Sequence, residues 1–249
     1  MGAVRIHRLG DPVGRPVLLL HGGGVAGWMW DPMIEHLGPG FRLIVPDLPG
    51  HDGSADDEYA SHDEAVDALV AVLEAEAAGP APVVGFSLGA QLAVLLAARR
   101  PDLVDRVAVI SAQAVPSRWP AATLGLLHAA APLMESERFA RVQARQLFVP
   151  EHLIQDCVRT SQRLSTRTLL ASVGENIRFV VPDRWSVFPG EALVLVGGSE
   201  RSTMRRSAQL LAEPHDDEPE VLSGCGHGIP LQEPVWLAQR LRPWLEKAR

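Results

Sequence analysis

A serine set between two glycines, Gly85-Phe86-Ser87-Leu88-Gly89, is the first place where residue types and spacing in this chain could do chemistry. It ends the apolar run 82–86 and precedes a helical pattern, so Ser87 would stand on a sharp strand-to-helix turn. Such a turn crowds the backbone, and small residues two before and two after the serine let strand and helix approach. A serine hydroxyl is a weak nucleophile and needs a base with a pKa near neutral within hydrogen-bond reach. His227, in the glycine-rich segment Gly224-Cys225-Gly226-His227-Gly228, is the candidate base. A glycine-flanked serine can also merely cap a helix. A second loop adds weight: His21-Gly22-Gly23-Gly24 follows the run 17–20 and offers flexible backbone N–H donors to a developing oxyanion.

These loops need a rigid frame, and the sequence supplies its pattern. Short apolar runs at 17–20, 43–45, 82–86, 107–110 and 193–196 read as buried parallel strands. Between them lie helical spacings, such as Ala65, Leu69, Val72 and Leu73, then Leu92, Leu95, Leu96 and Arg99. The alternation predicts an α/β fold with a mostly parallel central sheet and helices on both faces, in one domain over 1–249. It stops after Ile110 and resumes near Glu191, a gap too long for a loop, so a helical lid is expected at about 115–185. Within the lid, Phe139, Val142 and Leu147 are expected to share one face, and Leu153, Ile154, Cys157 and Val158 a second.

The four ordered segments His21-Gly22-Gly23-Gly24, Val45-Pro46-Asp47-Leu48-Pro49-Gly50-His51, Gly85-Phe86-Ser87-Leu88-Gly89 and Gly224-Cys225-Gly226-His227-Gly228 resemble the α/β-hydrolase superfamily. The resemblance implies Ser87 as nucleophile, His227 as base and an oxyanion hole from the backbone amides of Gly23 and Leu88. It places the acid of a catalytic triad three residues beyond a glycine after the run 193–196, which is Glu200, where most relatives carry Asp. Chain order Ser, acid, His is then kept. Asp183, Asp216 and Asp217 are weaker candidates, and Glu200 could instead be a helix-start carboxylate. His21 and His51 look architectural. The loop Ser111-Ala112-Gln113-Ala114, an alternative home for the acid in this superfamily, holds no carboxylate.

A serine triad serves acyl transfer, and hydrolysis of a carboxylic ester of a small, partly apolar substrate is the expected function. Thioesterase, lactonase, C–C bond hydrolase and cofactor-free perhydrolase chemistry remain open, as does a non-catalytic ligand receptor on the same scaffold. Trp28 and Trp30 are candidate pocket residues, with burial against the sheet an equal alternative. The Leu- and Ala-rich stretch 124–133 points to an apolar substrate portion. The net charge of −7 argues against a nucleic-acid partner. No HExxH or paired-cysteine spacing is present, so neither a metal nor a cofactor is expected. No apolar run reaches bilayer length and no export signal is visible, and with only Cys157 and Cys225 a reducing, cytoplasmic location is expected.

Overall fold

A computed structural model describes residues 4–134 and 136–247, without the side chains of 132–134. The chain opens with β1 (Ile6–Gly10), β2 (Arg15–Leu20), α1 (Asp31–Leu37), β3 (Phe41–Pro46), α2 (His62–Glu76), β4 (Ala81–Phe86), α3 (Leu88–Arg99) and β5 (Val104–Ile110). Four helices follow: α4 (Pro120–Met134), α5 (Glu137–Gln146), α6 (Ile154–Arg163) and α7 (Thr166–Asn176). The sheet then resumes with β6 (Glu191–Gly197), α8 (Ser202–Ala212), β7 (Glu220–Leu222), α9 (Ile229–Gln232) and α10 (Pro234–Glu246).

The seven strands lie in the order β1-β3-β2-β4-β5-β6-β7, parallel except for β1, which pairs antiparallel with β3. Parallel strands covered on both faces must be apolar throughout, and β4 is buried at all six positions. Alternate residues go to opposite faces. Leu18, Leu20, Val83 and Val107 pack with α2, α3 and α8, while Val17, Leu19, Val84 and Ala108 pack with α1 and α10. Each fully buried Leu or Val contributes about 1.5–3 kcal/mol, so a one-residue register slip would forfeit both cores.

The helices are set by local signals. Ser61 accepts a hydrogen bond from Glu64 N–H at the start of α2, and Ala65, Leu69, Val72 and Leu73 then form its buried stripe. α10 buries Leu237, Leu241, Trp244 and Leu245 beside α1. In the insertion between β5 and β6, α4 lies against α7 and α5 against α6. Leu153, Cys157 and Val158 are buried as expected. The α5 face differs from expectation: Ala140 and Ala144 are buried and Val142 is exposed, because the small residues let α5 settle closely on α6. Among the described residues no helix is long and apolar enough to cross a membrane.

Candidate active site

In a parallel sheet all strand ends of one kind share an edge, and the crevice beyond the carboxyl ends is where α/β folds assemble sites. Ser87 leaves β4 there with φ +52° and ψ −111°, a backbone state rarely held by a non-glycine residue. Its neighbours hold it. Ser87 N–H donates to the Ile110 carbonyl at 2.8 Å, and Ser87 O accepts from Ala90 at 3.1 Å. The two flanking glycines are sterically required: a Cβ at Gly85 would run into the Gly89 carbonyl, and one at Gly89 into the Leu20 and His21 carbonyls.

His227 and Glu200 come from the loops after β7 and β6. His227 Nε2 lies 3.2 Å from Ser87 Oγ, and its Nδ1 lies 2.7 Å from Glu200 Oε2. Glu200 is buried, with a side chain only 3% exposed, while the His227 side chain is 37% exposed. Its other oxygen, Oε1, accepts from Ser111 Oγ at 2.6 Å and from Gly197 N–H at 2.9 Å. Burial alone would raise the Glu200 carboxyl. The contact with His227 and the Ser111 and Gly197 donors outweigh it and hold the group below its usual value, so it is ionised at neutral pH. A carboxylate at Nδ1 keeps a proton on that nitrogen and leaves Nε2 free to accept one from the serine. Ser199 N–H donates to the Cys225 carbonyl at 2.9 Å, tying the two loops together.

The remaining expectations divide. Gly23 and Leu88 line one cavity with Ser87, of about 270 Å³, and Leu88 opens α3, whose first-turn amides have no partner within the helix. Leu127 and Ala131 of α4 line it too; the side chain of Leu133, in the same apolar stretch, lies outside the described residues. Trp28 and Trp30 do not line this cavity. Trp30 is fully buried in the core beneath α1 and α10, and Trp28 donates from Nε1 to Thr160 Oγ1 at 3.0 Å under α6, because an indole gains more from burial than from a half-wet rim. Asp183, Asp216 and Asp217 do not contact His227 Nδ1, which Glu200 occupies.

Several polar side chains of the site escaped the sequence reading. Ser111 holds Glu200, Gln143 of α5 stands over the glycine loop 22–24, where a Cβ on Gly24 would meet its Nε2 at 2.9 Å, and Asn176 closes α7 against the cavity. Ser111 shares one signal with Ser87, a small hydroxyl residue at a strand end. Gln143 and Asn176 have none, since their roles come from helix placement.

A profile of the alpha/beta hydrolase family matches residues 17–240. The chain belongs to this family. It is an enzyme, an α/β-hydrolase, and its seven-stranded, mostly parallel sheet is the frame expected of one. It is 27% identical over 241 residues, 94% of this chain and 91% of the relative, to an (E)-2-((N-methylformamido)methylene)succinate hydrolase of Acinetobacter baylyi. It is 39% identical over 111 residues, 44% of this chain and 36% of the relative, to an esterase of Mycobacterium tuberculosis. In fold it is similar to an enol-lactonase from Burkholderia xenovorans, with a TM-score of 0.82 at 16% identity over 99% of both chains.

Proposed function

We propose that this α/β-hydrolase cleaves a carboxylic ester of a small, partly apolar substrate through an acyl-enzyme on Ser87. The observation that carries the reading is the unbroken hydrogen-bond line from Ser87 Oγ through His227 to Glu200, with Ser87 facing a cavity walled by Leu88, Leu127 and Leu169. Ser87 Oγ bonds to the carbonyl carbon while His227 Nε2 takes its proton and the carbonyl electron pair moves onto oxygen. The N–H groups of Gly23 and Leu88 are assigned to that oxyanion. The C–O bond to the alcohol breaks, and the alcohol leaves with the proton from His227. Water, deprotonated by His227, then attacks the acyl-enzyme and releases the acid and Ser87. Glu200 holds the imidazole and balances its charge. The full chain acts as one unit with α4–α7 as its lid, and the free, buried thiols of Cys157 and Cys225 fit a reducing cytoplasm.

The test is a fluorophosphonate probe together with a panel of acyl esters, thioesters and lactones, applied to wild type and Ser87→Ala. Wild type is expected to label and to turn over esters, and Ser87→Ala to lose labelling and about 10⁴-fold or more of turnover. A folded wild type that neither labels nor hydrolyses any activated ester overturns the reading in favour of a ligand receptor. A strong preference for thioesters keeps the serine chemistry and overturns the bond type.

A further inference from the structure

The cavity that holds Ser87 is lined by fourteen residues, and no formally charged side chain is among them. Its polarity comes from hydroxyls and two carboxamides, and one carboxamide is fixed by a buried network. Gln91 of α3 is fully buried, and its Nε2 donates to the carbonyls of Gln113, at 2.6 Å, and Asn176, at 3.1 Å. Two carbonyl partners settle which end of Gln91 is the amine, so Oε1 is an acceptor. It receives His62 Nε2 at 3.0 Å and Asn176 Nδ2 at 3.1 Å, which fills both lone pairs. His62, kept neutral by burial, therefore carries its proton on Nε2 and accepts the Tyr59 hydroxyl on Nδ1 at 2.6 Å.

The same logic fixes Asn176. A flipped amide would set Oδ1 against Gln91 Oε1, acceptor to acceptor, so Oδ1 is turned away from the network. Among the described residues no donor reaches Asn176 Oδ1, and Asn176 lines the cavity. It does so on the face of α7 that also presents Leu169, Ser172 and Val173. An immobilised acceptor in a pocket whose described lining carries no formal charge discriminates between substrates, because one without a matching donor leaves it unpaired.

We propose that Asn176 determines acyl specificity: its Oδ1 accepts a hydrogen bond from a hydroxyl on the acyl chain, making short, uncharged hydroxyacyl esters the preferred substrate class. This rests on Ser87 as the acylated residue. Among the described lining residues a carboxylate on the acyl chain meets no Lys or Arg, and it is disfavoured.

The experiment compares kcat/KM for methyl butyrate, methyl 2- and 3-hydroxybutyrate and monomethyl succinate in wild type and Asn176→Leu, with fluorophosphonate labelling of Ser87 alongside. Wild type is expected to favour one hydroxybutyrate over butyrate by about five- to tenfold, one hydrogen bond's worth, and to turn over the succinate ester worst. In Asn176→Leu the hydroxyl preference should fall to about one. A wild type that labels and hydrolyses butyrate and hydroxybutyrates equally, or favours succinate, overturns the Asn176 assignment alone. Absence of both labelling and turnover removes Ser87 as nucleophile and this inference with it. The wild-type ratio needs no variant, so misfolding of Asn176→Leu does not shield the proposal.

Discussion

At the carboxyl edge of the sheet, five neighbouring strands each end in a part of the Ser87 centre: the glycine loop after β2, Ser87 after β4, Ser111 after β5, Glu200 after β6 and His227 after β7. The helices above reach the same cavity from α4, α5, α6 and α7, on a segment joined to the sheet at its two ends. At the edge, backbone packs on backbone so closely that glycines are required. In α4, a Cβ added at Gly125 would meet nothing within 4 Å. Chemistry needs positions held within fractions of an ångström, and strand ends supply them; a pocket wall needs only shape and a few polar groups, which helices can vary.

The sharpest way to break this contrast is to remove chemistry without removing structure. Glu200→Gln keeps the shape but loses the charge that holds the Nδ1 proton of His227, and kcat is expected to fall by about 10⁴-fold, with His227→Ala at least as severe. Leu169→Ala, in the wall made by α7, should cost only about tenfold, appearing mainly in KM. Steady-state kinetics on a preferred ester checks both. If Leu169→Ala lowered kcat as much as Glu200→Gln, the division between edge and insertion would be wrong.

Second in size is one substitution made in both regions. Gly89→Ala drives a methyl group into the carbonyls of Leu20, the last residue of the central strand β2, and of His21 directly after it, which cannot move aside, so a loss of about 3 kcal/mol or more is expected. Gly125→Ala, exposed inside α4, should gain about 0.5–1 kcal/mol through helix propensity and a less flexible unfolded chain. Denaturant midpoints of the two variants, read against wild type, should move in opposite directions.

That difference also explains what could be read in the sequence. Edge features leave local marks: glycines at fixed spacing around Ser87, an apolar run before each turn, and a glycine three residues ahead of Glu200. The parallel strands 17–20, 82–86 and 193–196 lie inside the observed β2, β4 and β6. β1 was not read, because an edge strand with the sequence Ile-His-Arg-Leu-Gly, exposed over most of its length, lacks a continuous apolar run. In the insertion the signal weakens. Apolar spacing on α5 favoured Val142, but close helix packing chose Ala140 and Ala144. Trp28 and Trp30 had the right neighbourhood and the wrong direction, since sequence position does not tell which side of a turn an indole takes. Gln91 meets Asn176 across 85 residues of chain and Ser111 meets Glu200 across 89, relations no local pattern encodes.

Acid should act through the sheet body and spare the insertion. His21, His51 and His62 are buried, and burial lowers the pKa of each; His51, with the neighbouring His21 adding to the effect, is pushed down to about 3. His128 and His152, on the insertion, are exposed. An imidazole that stays neutral when folded but binds a proton when unfolded gives the unfolded state more protons between about pH 3 and the ordinary value near 6.5. Stability therefore rises with pH across that window and falls as pH drops through it. For His51 alone the loss between pH 7 and pH 5 is about 2 kcal/mol. Glu200, whose carboxyl is depressed, adds its own loss only at lower pH, where it too takes up a proton. His51→Asn should be less stable at pH 7 yet show a shallower fall from pH 7 to pH 5, and His152→Asn should leave that slope unchanged. Urea unfolding at several pH values separates slope from offset; equal slopes in wild type and His51→Asn would mean that acid acts elsewhere.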